Sequence, residues 1–189
     1  MLTNNLDNKG LLKGNMIGTQ INNYYENNYS KIPSLLSQLI KELSKISQEH
    51  EFEDIDTIPF NPEEKIEYNN VIKYKWLLIE YTKFYINCDN ILNSLDNFNP
   101  GCKKKILTSI KIIYEKVVGN FLLLENNKDR LAVIRNNADS LIDKIEEKLR
   151  EKVENNNLDL SQEDIDIGLL IIICYAFNEC KILDKPKKE

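Results

Sequence analysis

The chain has 189 residues, a net charge of -5, 42% hydrophobic residues, and only 6 glycines and 5 prolines. Such a length suits one domain with a tail and can bury an ordinary core. Scarce Gly and Pro leave too little turn chemistry for a many-stranded sheet, and the acidic balance argues against direct binding of nucleic acid.

Residues 1 to 30 read as a polar, flexible tail or arm. Met1 to Gly18 carries Asn4, Asn5, Asp7, Asn8 and Lys9 in place of an apolar run, so no secretory leader is expected. The following stretch, Gly18-Thr-Gln-Ile-Asn-Asn-Tyr-Tyr25, has no helical period. Its Ile21, Tyr24 and Tyr25 are candidate partner contacts, because tyrosines bury much area at low entropic cost.

Residues 31 to 60 read as a short helix and an acidic loop. Leu36, Leu39, Leu43 and Ile46 repeat at threes and fours, which places them on one face of a helix over 34–48. The stretch after it, Glu49 to Phe60, is acidic and irregular and contains His50, the one histidine.

From 61 to 189 the pattern predicts a helical bundle. Asn61-Pro62-Glu63-Glu64 is a helix start, with a capping Asn, a Pro at the first helical position and acids at the positive end of the dipole. Asn69-Asn70 can break that helix. Val71, Tyr74, Leu78, Tyr81, Tyr85, Cys88, Leu92 and Leu95 then alternate spacings of three and four, widened by Trp76, Leu77, Phe84 and Ile91. The spacing predicts one helix of about 25 residues, roughly 37 Å long. Asn97 to Gly101 is a turn.

The next helix runs from about Lys103 to Leu124, with Ile106, Ile110, Ile113, Val117, Phe121 and Leu124 sharing a face. A further one runs from Asp129 to Val153, with Leu131, Ile134, Ala138, Leu141, Ile145 and Leu149 inward. Ser161-Gln-Glu-Asp164 resembles a capping box and opens a last helix reaching about Leu183. That helix is apolar nearly all round, so it is either central or covered by a partner. The expected fold is therefore all-α: an antiparallel bundle of about four main helices, preceded by a short helix and a polar tail.

The residues offer no catalytic or metal constellation. No Arg precedes His50, so the Arg-x4-6-His pattern of small helical ribonucleases is absent, and a solvated loop histidine is expected. Cys88, Cys102, Cys174 and Cys180 form no CxxC pair and read as reduced thiols of a cytoplasmic protein. Neither a Walker-type nor a dinucleotide glycine pattern occurs, so no cofactor is expected. The ten-residue apolar run from Gly168 to Phe177 is too short to span a bilayer. Lys103, Lys104 and Lys105 place three cations at a helix N-terminus, against the dipole. They are the second candidate contact, for an acidic partner or a phosphate.

From about Ile58 onward the chain resembles the C-terminal helical domain of bacterial ABC-three-component conflict systems. Residues 59–75, PFNPEEKIEYNNVIKYK, carry the resemblance, with RNNADSLIDKI (135–145) and ICYAFNECKILDKP (173–186). The segment 18–25 is similar to the polar stretch that often precedes such domains. The resemblance implies a non-catalytic adaptor that couples an effector to an ABC- or SMC-type ATPase and a small middle component in anti-phage defence. Only some 30 mostly polar residues precede the first helix, so no effector domain is expected here. The readings from another class are a small toxin or nuclease with an unfamiliar site, for which His50, Lys103 and Arg135 are the residues to test, and a self-assembling helical scaffold that forms a homo-oligomer.

Overall fold

A computed structural model describes residues 34–49, 61–126, 129–155 and 160–186. The polar arm at 1–30 and the acidic loop at 50–60 lie outside those residues. The described chain is all-α, without a strand. The helices are α1 (Leu35–Glu49), α2 (Pro62–Asn69), α3 (Lys75–Tyr81), α4 (Tyr85–Phe98), α5 (Cys102–Leu124), α6 (Arg130–Glu154) and α7 (Gln162–Asn178).

The helix starts follow local chemistry. Asn61 Oδ1 accepts from the Glu63 backbone N–H at 3.0 Å, and Pro62 takes the first helical position of α2. Asp129 caps α6 by accepting from Ala132 N–H at 3.1 Å. Ser161 and Asp164 form a reciprocal capping box on α7, at 3.1 and 3.2 Å. At the end of α2, Asn70 adopts a left-handed conformation (φ 56°). The Asn70 and Val71 N–H groups return to the carbonyls of Glu67 and Ile66, each at 3.1 Å. That is a Schellman ending, closed by contact of the buried Ile66 and Val71 with the core.

Three elements depart from the periodicity. The rod expected over Val71 to Leu95 starts at Lys75 and is interrupted by a 3-10 turn, Thr82–Phe84, between α3 and α4. Thr82 Oγ1 donates to the Leu78 carbonyl at 2.7 Å, and such back-bonding tightens and bends a helix. The same hydroxyl accepts from Asn178 of α7 at 3.4 Å, so the irregular turn is fastened to the bundle centre. The last helix stops at Asn178 instead of Leu183. Cys180 turns left-handed (φ 53°), and the N–H groups of Cys180 and Lys181 close back on Phe177 (3.1 Å) and Ala176 (2.8 Å). Beyond it Ile182 and Leu183 still reach the core. Leu124, placed inward by its spacing, is 81% exposed, because α5 has run past its neighbours there.

The core is organised around α7. From Ile171 to Asn178 every residue is buried, and α7 packs against α1, α3, α4, α6 and the 3-10 turn. Its all-round apolarity is satisfied within the chain. Its most extensive neighbour is α1, whose Leu39, Ile40, Leu43 and Ile46 are buried with the small Ser37 and Ser44. The two backbones meet at Gly168, where a Cβ would stand 2.8 Å from Ile40 Cγ2 and 3.1 Å from the Ile40 carbonyl oxygen. The helix before the acidic loop thus belongs to the same compact unit, Pro33–Glu189, as the bundle. α5 and α6 pack extensively on each other and form the remaining wall.

Candidate partner-binding face

α5 presents its wet side as a row of lysines. Gly101 enters this helix at φ 84°, a left-handed backbone conformation that a side chain would resist. With one turn per 3.6 residues, Ile106, Ile110, Tyr114, Val117 and Val118 fall inward and are buried. Lys104, Lys105, Ile112 and Lys116 fall outward and are exposed.

Three shallow cavities lie along this side. The largest, about 650 Å³, is bordered by Lys103, Lys104, Lys111 and Lys181, with Leu107 and Ile112 beneath. The next, about 360 Å³, runs between α5 and α6, shares Ile112, and is bordered by Lys116, Lys148 and Lys152. The third, about 320 Å³, shares Ser109 and Lys152 and adds Lys105, with Leu35, Leu36 and Leu149 as apolar walls. Asp96 and Glu151 are the carboxylates on these borders. The largest cavity lies on the flank of α5 that faces Asp96 and Lys181 and the other two on the flank that faces α6, so lysines border α5 on both sides of the exposed Ile112 in a chain of net charge -5.

The three adjacent lysines have different fates. Lys103 is an internal strut. Its ammonium pairs with Asp89 at 2.7 Å and donates to Asn93 at 2.9 Å, and its backbone N–H donates to Asp96 at 2.9 Å. Tyr175 of α7 also donates to Asp89. Partial burial works to raise the Asp89 carboxyl, but the hydrogen bonds from Lys103 and Tyr175 outweigh it and hold it below the usual carboxylate range. Lys104 and Lys105 stay exposed and border separate cavities. Lys111 pairs with Glu115 at 2.8 Å, and Arg130 grips the same carboxylate. Lys104, Lys105, Lys116 and Lys181 have no ion-pair partner among the described residues. Ile21, Tyr24, Tyr25 and His50 lie outside the described residues. Arg135 donates from Nε to the Tyr68 carbonyl at 2.7 Å and stacks on that ring, joining α6 to α2.

Sequence alone missed Lys111, Lys116, Lys181 and Ile112. Lys111 sits seven residues after Lys104, two turns on and on the same side, whereas Lys116, twelve residues on, is turned about 120° towards α6. Lys181 carried no such signal, because only the Schellman turn after α7 brings it to α5.

Lys65 is the second unexpected group. It is fully buried, donates to the Phe177 and Ile182 carbonyls (2.9 Å for the latter), and lies 4.3 Å over the Phe177 ring. Burial pushes its pKa down to about 8. Nearby, Asn69 Nδ2 donates to the Lys65 and Asp184 carbonyls, both at 2.8 Å, and Asn69 Oδ1 accepts from the Asp184 N–H at 2.9 Å. These bonds fasten residues 179–184 to α2.

Among the described residues all four cysteines are free thiols, with Cys88, Cys102 and Cys174 buried and Cys180 partly so. Burial pushes the Cys88 and Cys174 thiols up, which suits packing and not reactivity. No group of three His, Cys, Asp or Glu is arranged there to hold a metal ion, and no described helix is long and apolar enough to cross a membrane. Comparison with protein-family models, with curated proteins and with solved structures finds no match to this chain.

Proposed function

We propose that this domain is a non-catalytic docking unit that couples protein partners, with the exposed lysine-bearing side of α5 as its contact face. The observation that carries the reading is an exposed side of α5 on which unpaired lysines flank the half-exposed Ile112, on an otherwise acidic chain. Complementary charge steers association and selects partners, and partly exposed aliphatics supply the apolar area that binding removes from water. The resemblance to the helical domain of ABC-three-component systems supplies the setting: anti-phage defence in the bacterial cytoplasm, with an ABC- or SMC-type ATPase, a middle component or an effector as the partner. The test is capture of the tagged protein from its native host, with and without phage challenge, and identification of what co-elutes. Recovery of an ABC- or SMC-type ATPase supports the reading; preparations free of such an ATPase and of an effector under both conditions contradict it.

A further inference from the structure

We infer that the cavity at the corner of α1, α5 and α6 binds a medium-chain aliphatic carboxylate, its chain laid on core aliphatics and its headgroup held by Lys105 and Lys152. The inference goes beyond the docking reading and does not depend on it. The inner surface of this cavity belongs to the core: Ile106, Ile110 and Leu149 are buried and reach it from α5 and α6. Leu35 and Leu36, half-buried on the first turn of α1, form the third wall. Ser109, one turn after Lys105, lines the space with a short side chain. A volume of about 320 Å³ lies in the range of ligand sites. It has room for about ten non-hydrogen atoms at roughly 30 Å³ each, the size of octanoate.

Charge selects the headgroup. Lys105 and Lys152 are exposed, and no carboxylate lines the cavity. Lys152 Nζ donates to Ser109 Oγ at 3.5 Å, which places its ammonium beside that hydroxyl. Lys105 has no ion-pair partner among the described residues. The first turn of α1 carries no acidic residue, so the positive end of its dipole adds to the same side. A carboxylate there gains charge-assisted hydrogen bonds, while its chain buries apolar surface. A neutral hydrocarbon would leave the lysines unanswered. A nucleobase would lack a stacking partner, since neither an aromatic ring nor an arginine lines the cavity.

The inference is tested by calorimetric titration of the full chain with sodium butanoate, hexanoate and octanoate at constant ionic strength. One saturable site is expected, with affinity rising about threefold to fourfold per methylene and 1-octanol at least tenfold weaker than octanoate. Lys105→Gln combined with Lys152→Gln should lower octanoate affinity at least tenfold, and Ser109→Leu should abolish binding by filling the cavity. Lys45→Gln, on the exposed side of α1 and outside the cavity, should change nothing. All variants are matched to wild type in melting temperature; where Ser109→Leu melts lower, the lysine pair carries the test. No saturable heat at millimolar octanoate, an affinity independent of chain length, or full affinity in the lysine pair overturns the inference. Tighter binding of a leucine-ended peptide than of octanoate would assign the cavity to a polypeptide terminus and overturn it as well.

Discussion

Lys65 is a cation placed where water cannot reach it. The carbonyls of Phe177 and Ile182 accept its protons at the negative end of α7, which offsets part of the desolvation cost. A neutral amine can still donate to both, so the site accommodates the deprotonated form. With the folded pKa near 8 and the unfolded value at 10.5, the unfolded chain binds more protons between those limits. Stability from this group therefore rises with pH across that window, by about 3 kcal/mol at most. Denaturant titrations should show wild type gaining on Lys65→Met from pH 8 to 10.5, with cysteine and tyrosine titrations cancelling in the difference. A difference that stays flat contradicts the assignment. Among the three lysines at 103–105, Lys103→Ala should cost about 1 kcal/mol because Asp89 and Asn93 lose the ammonium they share, while Lys104→Ala should stay within about 0.5 kcal/mol. Equal losses would mean that Lys103 is as free as its neighbour. None of this was readable from the sequence, where Lys65 stands beside Glu64 as an ordinary surface charge.

At the scale of elements, the caps were readable and the irregular ends were not. Asn61-Pro62 and Ser161–Asp164 act within one turn, so residue identity suffices to find them. The end of α7 depends on a left-handed residue, and Cys at position 180 hides what Gly would have announced. Cys180→Gly should therefore stabilise the fold by about 1 kcal/mol, readable as a higher denaturation midpoint, since Gly adopts that backbone without strain. A lower midpoint would show that the Cys180 side chain matters more than its backbone. The 3-10 turn escaped because Thr82's bond to Leu78 leaves the three-four apolar spacing intact. The α1–α7 crossing escaped because Gly168 sits inside an apolar run and gives no sign of what faces it. Gly168→Ala should cost about 1–2 kcal/mol: overpacking against Ile40 exceeds the gain in helix propensity. Unchanged or raised stability would show that α1 can step back freely.

Over the whole molecule, helical class could be read from composition and period, and a last helix apolar nearly all round had to be central or covered by a partner; its packing against α1, α3, α4 and α6 decides for the centre. Which surface is left for partners could not. Lys104 and Lys105 were visible as a charged run, but their separation from Lys103 depends on Asp89, Asn93 and Asp96 converging from α4. The lysine-bordered cavities on its two flanks need the turn after α7 on one side and α6 on the other. The net charge of -5 is thus unevenly distributed, and on the docking account the basic side is what would steer a partner. The most direct measurement is capture from the native host by wild type and by the triple variant Lys104→Glu, Lys116→Glu, Lys181→Glu, matched in circular dichroism and melting temperature. The docking account predicts an ATPase or effector with wild type and at least a tenfold drop with the variant. Equal recovery by the two proteins would contradict it.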